Sequence, residues 1–299
     1  MSAKGKSALT ALRAREMKFG YLFVAPALIC LIIFTFIPIV DAVSLSFFDY
    51  NAIATKNFIG LANYQAMFAD ESWIESLGIT AKYVLMYVPA LFVISLCLAL
   101  IIRHITSLSG LFRTTFFMPI IVSATAAGII FKMVFNKNSG FINMAIRSVG
   151  LNALNWLGVG SNALICCVIL AVWLGMGYYM IIFLAGLQDI PKDYYEAARI
   201  DGANALQQFR HITLPCLSQT SIFVFVMLII NAFQTFDSIK MLTDGGPNDA
   251  TKLAVLRIYE NSFIHFRMGY SCATSLMLFA IIFSISLIQL KITGAMSRE

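Results

Sequence analysis

Charge is what this sequence has least of. Only 12% of its 299 residues are Asp, Glu, Lys or Arg, while 60% are apolar and the mean hydropathy is +0.82. Soluble domains carry about 25% charged and roughly 45–50% apolar residues. A water-solvated core cannot hide this much apolar surface, so lipid is the solvent for much of the chain. Signatures of catalysis are missing too. No GxxxxGK[ST] occurs, and Gly5-Lys6-Ser7 lacks the earlier glycine and the preceding strand, which excludes P-loop binding of ATP. His104, His211 and His265 are scattered, with no HExxH or paired-ligand spacing, so a catalytic metal site is not expected. No GxSxG occurs. The six cysteines, Cys30, Cys97, Cys166, Cys167, Cys216 and Cys272, form no CxxC pair, and five lie in apolar runs. They read as small buried apolar residues, with no disulfide framework to infer.

Long apolar runs are what the sequence does have. Six are of helix length: Phe19 to about Val40, Gly78 to Ile102, Thr114 to Phe135, Ala163 to Leu187, Ser218 to about Ile239, and Gly269 to Leu290. About 20 apolar residues suffice to cross a bilayer as a helix. A lone strand would leave its backbone unpaired in hydrocarbon. The expected fold class is therefore an all-α membrane protein with six transmembrane helices. The first run is too long for a signal peptide's apolar core and has no small-x-small cleavage site, so it reads as an uncleaved span. Six spans put both termini on one side. Lys4, Lys6, Arg13, Arg15 and Lys18 precede the first span, with Glu16 as the only acid. That cluster places the termini in the cytoplasm. Lys82 and Lys132 fall near outer span ends, where they can snorkel to the interface. The expected organisation is a cytoplasmic tail over 1–18, a membrane domain over 19–291 and a second cytoplasmic tail over 292–299.

One polar stretch lies between the fourth and fifth runs. Residues 196–215 read EAARIDGANALQQFRHITLP, within a cytoplasmic loop over 188–217. Pro191 suits a first helical turn. Asp193 and Glu196 suit the positive end of a helix, and Ala197 and Ala198 favour helix with little bulk. Gly202 is expected to end that helix as a left-handed residue. Asn204 is expected to cap a second helix, with Gln207 completing a capping box, and Pro215 to begin the next span. A helix, a glycine turn and a second helix can be a plain solvated connection or a surface for a soluble partner.

The spacing of Glu196-Ala197-Ala198, then Gly202, then Ile212, then Leu214-Pro215 resembles the EAA motif of ABC importer permeases. Leu242 to Pro247 (LTDGGP) with Ala250-Thr251, Arg257-Ile258-Tyr259, Phe266 to Tyr270 (FRMGY) and Phe58 to Tyr64 resemble the carbohydrate-type members, the maltose and glycerol-phosphate permeases. The likeness extends over nearly the whole chain from Phe19 to Leu290. It implies a type I ABC importer permease fold with a cytoplasmic coupling helix pair between helices 4 and 5. It further implies that Glu196, Ala197, Ala198, Gly202, Ile212, Leu214 and Pro215 couple the chain to an ATPase. Glu196 would be the charged anchor, the two alanines the close-packed face and Gly202 the turn. The chain would be no enzyme. ATP and Mg would sit on the partner ATPase, and this chain would carry no cofactor. The implied partners are a second, non-identical permease, two ATP-binding subunits and an extracytoplasmic solute-binding protein, all at the inner membrane of a prokaryote.

Polar groups inside spans are costly and often functional. Asn231, Gln234, Thr235 and Asp237, with Phe233 and Phe236 between them, could bond sugar hydroxyls and stack on sugar rings. They could equally pair helix to helix. Trp173, Tyr178 and Tyr179 could line the same path or simply pack. The expected substrate-path residues are thus Asn231, Phe233, Gln234, Asp237 and Tyr178, and the expected cargo is a sugar or oligosaccharide. A permease for another solute such as glycerol phosphate is the alternative. A secondary transporter driven by ions is a third reading, but it calls for ionisable residues deep in the membrane, which are scarce here.

Overall fold

The computed structural model describes residues 17, 19–53, 56–105 and 108–292. The N-terminal basic cluster and nearly all of both expected tails lie outside the described residues. The described residues form two compact units: those up to Met67 with Asn261–Leu276, and Phe68–Glu260 with those from Met277 onward.

In the first unit, helix α1 (Phe19–Leu45) buries none of its apolar window, as expected of a helix solvated by lipid. It is followed by a short antiparallel pair, β1 (Phe48–Asp49) with β2 (Asn57–Phe58), and by α2 (Ala62–Ala69), which extends past Met67. Asn63 ties this corner together. Its amide donates to the carbonyls of Ser46 (2.8 Å) and Phe48 (3.0 Å). The backbone N–H of Gly269, near the start of the last helix (Met268–Ile292), donates to Tyr50 O at 3.1 Å.

The second unit is built on two long helices, α3 (Glu71–His104) and α7 (Gly160–Gln188). Asp70 caps α3 by accepting from the N–H groups of Ser72 (3.0 Å) and Trp73 (3.3 Å), which is why the helix begins well before the expected Gly78. The α3–α7 seam is closed by small residues and aromatic edges. Gly175 lets Leu91 approach, Phe92 meets Phe183 edge-on at 5.1 Å, and Ser95 Oγ donates to Met176 O at 3.2 Å. Between them in sequence come α4 (Ser109–Phe117), a 3₁₀ turn (Met118–Ile121), α5 (Ala124–Val134) and α6 (Phe141–Ser148). After α7 come α8 (Lys192–Ile200), α9 (Ala205–Cys216), α10 (Ser218–Phe233), α11 (Asp237–Leu242) and α12 (Ala254–Tyr259); α13 (Met268–Ile292) closes the order.

Among the described residues four helices, α1, α3, α7 and α13, are long and apolar enough to cross a membrane; the count rises to six if each of two bent pairs is one span. The expected third run is not one straight helix. It bends by 97° between Ile121 and Ala124, after Pro119 opens the 3₁₀ turn. Helices α9 and α10 meet at 69°. The expected fifth run stops at Phe233, because Phe236 (φ −137°, ψ −65°) leaves helical geometry and Asp237 opens a new helix. Pro191 lies one residue outside α8, in an extended conformation (φ −56°, ψ 135°), where its missing N–H costs nothing. The cysteines divide: Cys166 and Cys167 are buried, but Cys30, Cys97 and Cys216 are exposed on the chain surface. An apolar solvent accepts a thiol as readily as a core does.

Gly177 of α7 sits against the Phe116 carbonyl, so a methyl group there would collide with backbone that cannot rotate away. Gly177→Ala is expected to destabilise the folded protein by about 1–3 kcal/mol. Gly175→Ala meets only the flexible end of Leu91 and is expected to cost less. Thermal unfolding midpoints in detergent, compared between the two variants, check the order.

Candidate functional sites: a polar hairpin and an aromatic cavity

The polar stretch folds as its residues dictate. Helix α8 carries Asp193 in its first turn and Arg199 in its last, each complementing the helix dipole, and it buries no side chain. Gly202 follows with φ +79°. Its N–H donates to Arg199 O (3.1 Å), and that of Ala203 donates to Ala198 O (2.8 Å). This bonding pair, with a left-handed glycine, is a Schellman motif. Two residues later Asn204 Oδ1 accepts from Gln207 N (3.0 Å), and Gln207 Oε1 accepts from Asn204 N (2.8 Å), completing a capping box. The hairpin is thus fixed at both sides of its turn. It leaves Glu196 and Ala197 exposed and Ala198 half-exposed, with Ile200 86% and Leu206 74% exposed. Ile212 is half-buried, and Leu214 and Pro215 are exposed in α9. Behind the hairpin a cavity of about 460 Å³ is lined by Arg103, His104, Lys192, Tyr195, Glu196 and Thr213, among others.

A second cavity, of about 250 Å³, lies among α3, α7, α10 and α11. Tyr87, Tyr178, Tyr179, Asn231, Thr235 and Ser238 supply its polar wall, and Ile120, Ala171, Leu174 and Gly175 the rest. Asn231 Nδ2 donates to Tyr179 Oη at 2.7 Å, and the rings of Tyr178 and Tyr179 meet edge-on at 5.1 Å. Of the five expected path residues, Asn231 and Tyr178 are brought together here. Phe233 is buried in packing, Gln234 is exposed at the end of α10, and Asp237 is exposed at the start of α11; none of the three lines the cavity. Trp173 packs on Phe131 instead, with ring centroids 5.2 Å apart. Tyr87 and Ser238 were not anticipated. Tyr87 had a signal: Tyr83 lies one turn before it in an apolar run, and their rings stack at 5.5 Å. Ser238 had none, because the break at Phe236 that turns it inward is not visible in composition.

The loop from LTDGGP to Glu260 is braced by charge. Lys252 bridges Asp249 (2.7 Å) and Glu260 (3.1 Å), and Arg257 bridges the same two acids at 2.9 and 3.7 Å. Thr251 Oγ1 donates to Gly246 O at 2.8 Å. Lys240 bonds Asp244 at 2.6 Å, which raises its pKa. Burial pushes the Asp249 carboxyl up, but hydrogen bonds from Lys252 and Arg257, with their charges, hold it below the usual carboxylate value.

The family of binding-protein-dependent transport system inner membrane components matches residues 83–298. The chain belongs to this family. The permease is 34% identical over 276 residues to the probable ABC transporter permease protein YurN of Bacillus subtilis, covering 91% of this chain and 94% of that one. It is 32% identical to the arabinooligosaccharides transport system permease protein AraP of the same organism, covering 93% of this chain and 90% of the relative. The sn-glycerol-3-phosphate transport system permease protein UgpA of Agrobacterium fabrum is 34% identical, with coverages of 91% and 93%. In fold, the permease is similar to a chain in the crystal structure of a bacterial ABC transporter involved in the import of the acidic polysaccharide alginate. The TM-score is 0.83 at 20% identity, over 95% of this chain and 99% of that one. The permease is accordingly a multi-pass membrane component of a transport system and not an enzyme; ATP hydrolysis belongs to a separate chain.

The sign of the Asp249 shift fixes a pH dependence. A depressed folded pKa stabilises fully above the unfolded value of about 3.9 and loses that effect as pH falls through the folded value. Asp249→Asn is expected to speed amide exchange over residues 243–257 at neutral pH, with the two proteins converging in acid. Hydrogen–deuterium exchange of both proteins at matched pH checks this.

Proposed function

We propose that this permease carries a neutral sugar or short oligosaccharide inward through the aromatic cavity, driven by an ATPase docked on the α8–α9 hairpin. The observation that carries the proposal is the cavity's chemistry. Three tyrosines, an amide and two hydroxyl residues line it, and none of its ten lining residues carries a charge. Tyrosine faces stack on sugar rings, and amide and hydroxyl groups bond sugar hydroxyls without the cost of a buried charge. Names of relatives support a carbohydrate cargo, among them the arabinooligosaccharides permeases and the trehalose/maltose permease MalF of Thermococcus litoralis. The glycerol-3-phosphate relative keeps a second reading open. A phosphate would call for a cation at the cavity, and none lines it among the described residues.

In this reading the four long helices, the bent pair α4–α5 and the helix α10 make six spans over 19–291, with both termini cytoplasmic and the loop 188–217, which carries α8 and α9, on the same side. Glu196, Ala197, Ala198 and Gly202 form the docking contact, and Ile212, Leu214 and Pro215 hold the hairpin to α10. The exposed Ile200 and Leu206 add apolar surface for a partner to cover. A second, non-identical permease completes the pathway. Two ATP-binding subunits hold ATP and Mg below, and an extracytoplasmic solute-binding protein delivers cargo above. The similarity to an alginate transporter solved with its oligosaccharide-bound periplasmic protein supports the last of these. Closure of the ATPase pair on ATP would draw the hairpins together and rock the spans outward-open.

Three outcomes test the reading. Expressed with its genomic neighbours, the native chain is expected to retain an ATPase through gentle solubilisation, and Glu196→Lys to lose it. Gly202→Val forces a β-branched residue into left-handed geometry, at about 1–3 kcal/mol; uptake is expected to fall while membrane insertion is kept. Asn231→Leu is expected to abolish most uptake with ATPase retention unchanged. Wild-type uptake by Asn231→Leu would remove the cavity from the pathway.

A further inference from the structure

The cavity behind the hairpin contains a chain of three side chains that the docking reading does not use. Arg103 Nη1, at the end of α3, donates to Tyr195 Oη of α8 at 3.0 Å, and its guanidinium carbon stands 4.6 Å from the centroid of the Tyr195 ring. The same hydroxyl is 3.0 Å from Thr213 Oγ1 of α9. Thr213 is 4% exposed, and it sits in a π-helical turn whose backbone is displaced from regular helix. Arg103 can only donate, so the Tyr195 oxygen accepts from it; the Thr213 hydroxyl has Gln208 O as an acceptor at 3.5 Å, which leaves the Tyr195 proton free for Thr213. One hydroxyl therefore links three helices.

The link matters because of connectivity. Two of the helices that wall the membrane cavity are continuous with the loop: α7 runs into α8, and α9 runs into α10. Those helices are joined to the hairpin through the backbone. Helix α3 has no such connection. It carries Tyr87 into the cavity, about 24 Å from Arg103 at ~1.5 Å of rise per residue. Among the described residues, α3 packs against α7 and α10, and the Arg103–Tyr195–Thr213 chain joins it to the hairpin by hydrogen bonds.

We propose that Arg103, Tyr195 and Thr213 are positioning residues that make α3 follow the hairpin, so that an ATPase stroke reaches the Tyr87 side of the cavity together with the α7 and α10 sides. The proposal rests on the reading of the hairpin as the ATPase dock. It assigns Tyr195 a role distinct from docking, although Tyr195 precedes Glu196 directly in sequence.

The test uses the whole transporter in proteoliposomes, with its purified binding protein as the probe, and reads ATPase activity with and without that protein. Thr213→Val keeps shape and removes the hydroxyl; Thr213→Ser keeps the hydroxyl. Tyr195→Phe keeps the ring over Arg103 and removes the oxygen. Thr213→Val and Tyr195→Phe are expected to retain the ATPase and its basal rate, while stimulation by the binding protein falls about 2- to 30-fold, the range of coupling residues. Thr213→Ser is expected to restore stimulation, and the double variant to be no worse than either single. A purely structural role would lower the unfolding midpoint without this rescue. Wild-type stimulation in Thr213→Val and Tyr195→Phe overturns the proposal. So does loss of the ATPase from Tyr195→Phe, which would make Tyr195 part of the dock. Retention of the ATPase by Glu196→Lys overturns the docking reading instead.

Discussion

Hydrocarbon offers no hydrogen bonds, and that constraint organises this permease. A backbone crossing lipid must satisfy its N–H and C=O groups within its own helix. Irregular backbone is tolerated only where protein or a polar cavity receives it. The second unit obeys the rule. Its apolar helices break between Ile121 and Ala124 and again between Phe233 and Asp237. Both breaks border the same cavity, through Ile120 on one side and Thr235 and Ser238 on the other. The breaks add Thr235 and Ser238 to a polar wall whose tyrosines and Asn231 stand on unbroken helix. The long helices α3 and α7 frame it without interruption.

The hairpin solves the opposite problem. In water, two short helices are marginal on propensity alone. Here a Schellman motif ends one helix and a capping box begins the next, with only Gly202 and Ala203 between the first helix's cap residue Asp201 and the second's, Asn204. Orphan backbone groups are paired on both sides of the turn, so the element keeps its shape with no buried face on α8. The Arg103–Tyr195–Thr213 chain ties the hairpin to α3, a helix it does not join through the backbone.

Much of this was legible in order along the chain. Low charge and six apolar runs declared lipid as the solvent. The order Ala198, Gly202, Asn204, Gln207 announced the hairpin, because each residue type has a local backbone reason for its place. The lining of the cavity was less legible. Asn231 and Tyr178 do line it, and an amide and an aromatic stand out in apolar runs. Gln234 and Asp237 stood out equally and yet point elsewhere, since the helix that would have aligned them with Asn231 ends at Phe233. Helical periodicity cannot be carried across a break that composition does not mark.

The sequence by itself determined the solvent, the helical class, the polar hairpin and its caps, since these follow from hydropathy and from bonds spanning a few residues. Only the tertiary structure decided which polar groups share a cavity and which side chains bind α3 to the hairpin. Asn231 meets Tyr179, and Arg103 meets Tyr195, across long stretches of chain, and no local interaction specifies such pairings. They depend on how the small residues of α7, Gly175 and Gly177 above all, let neighbouring helices approach.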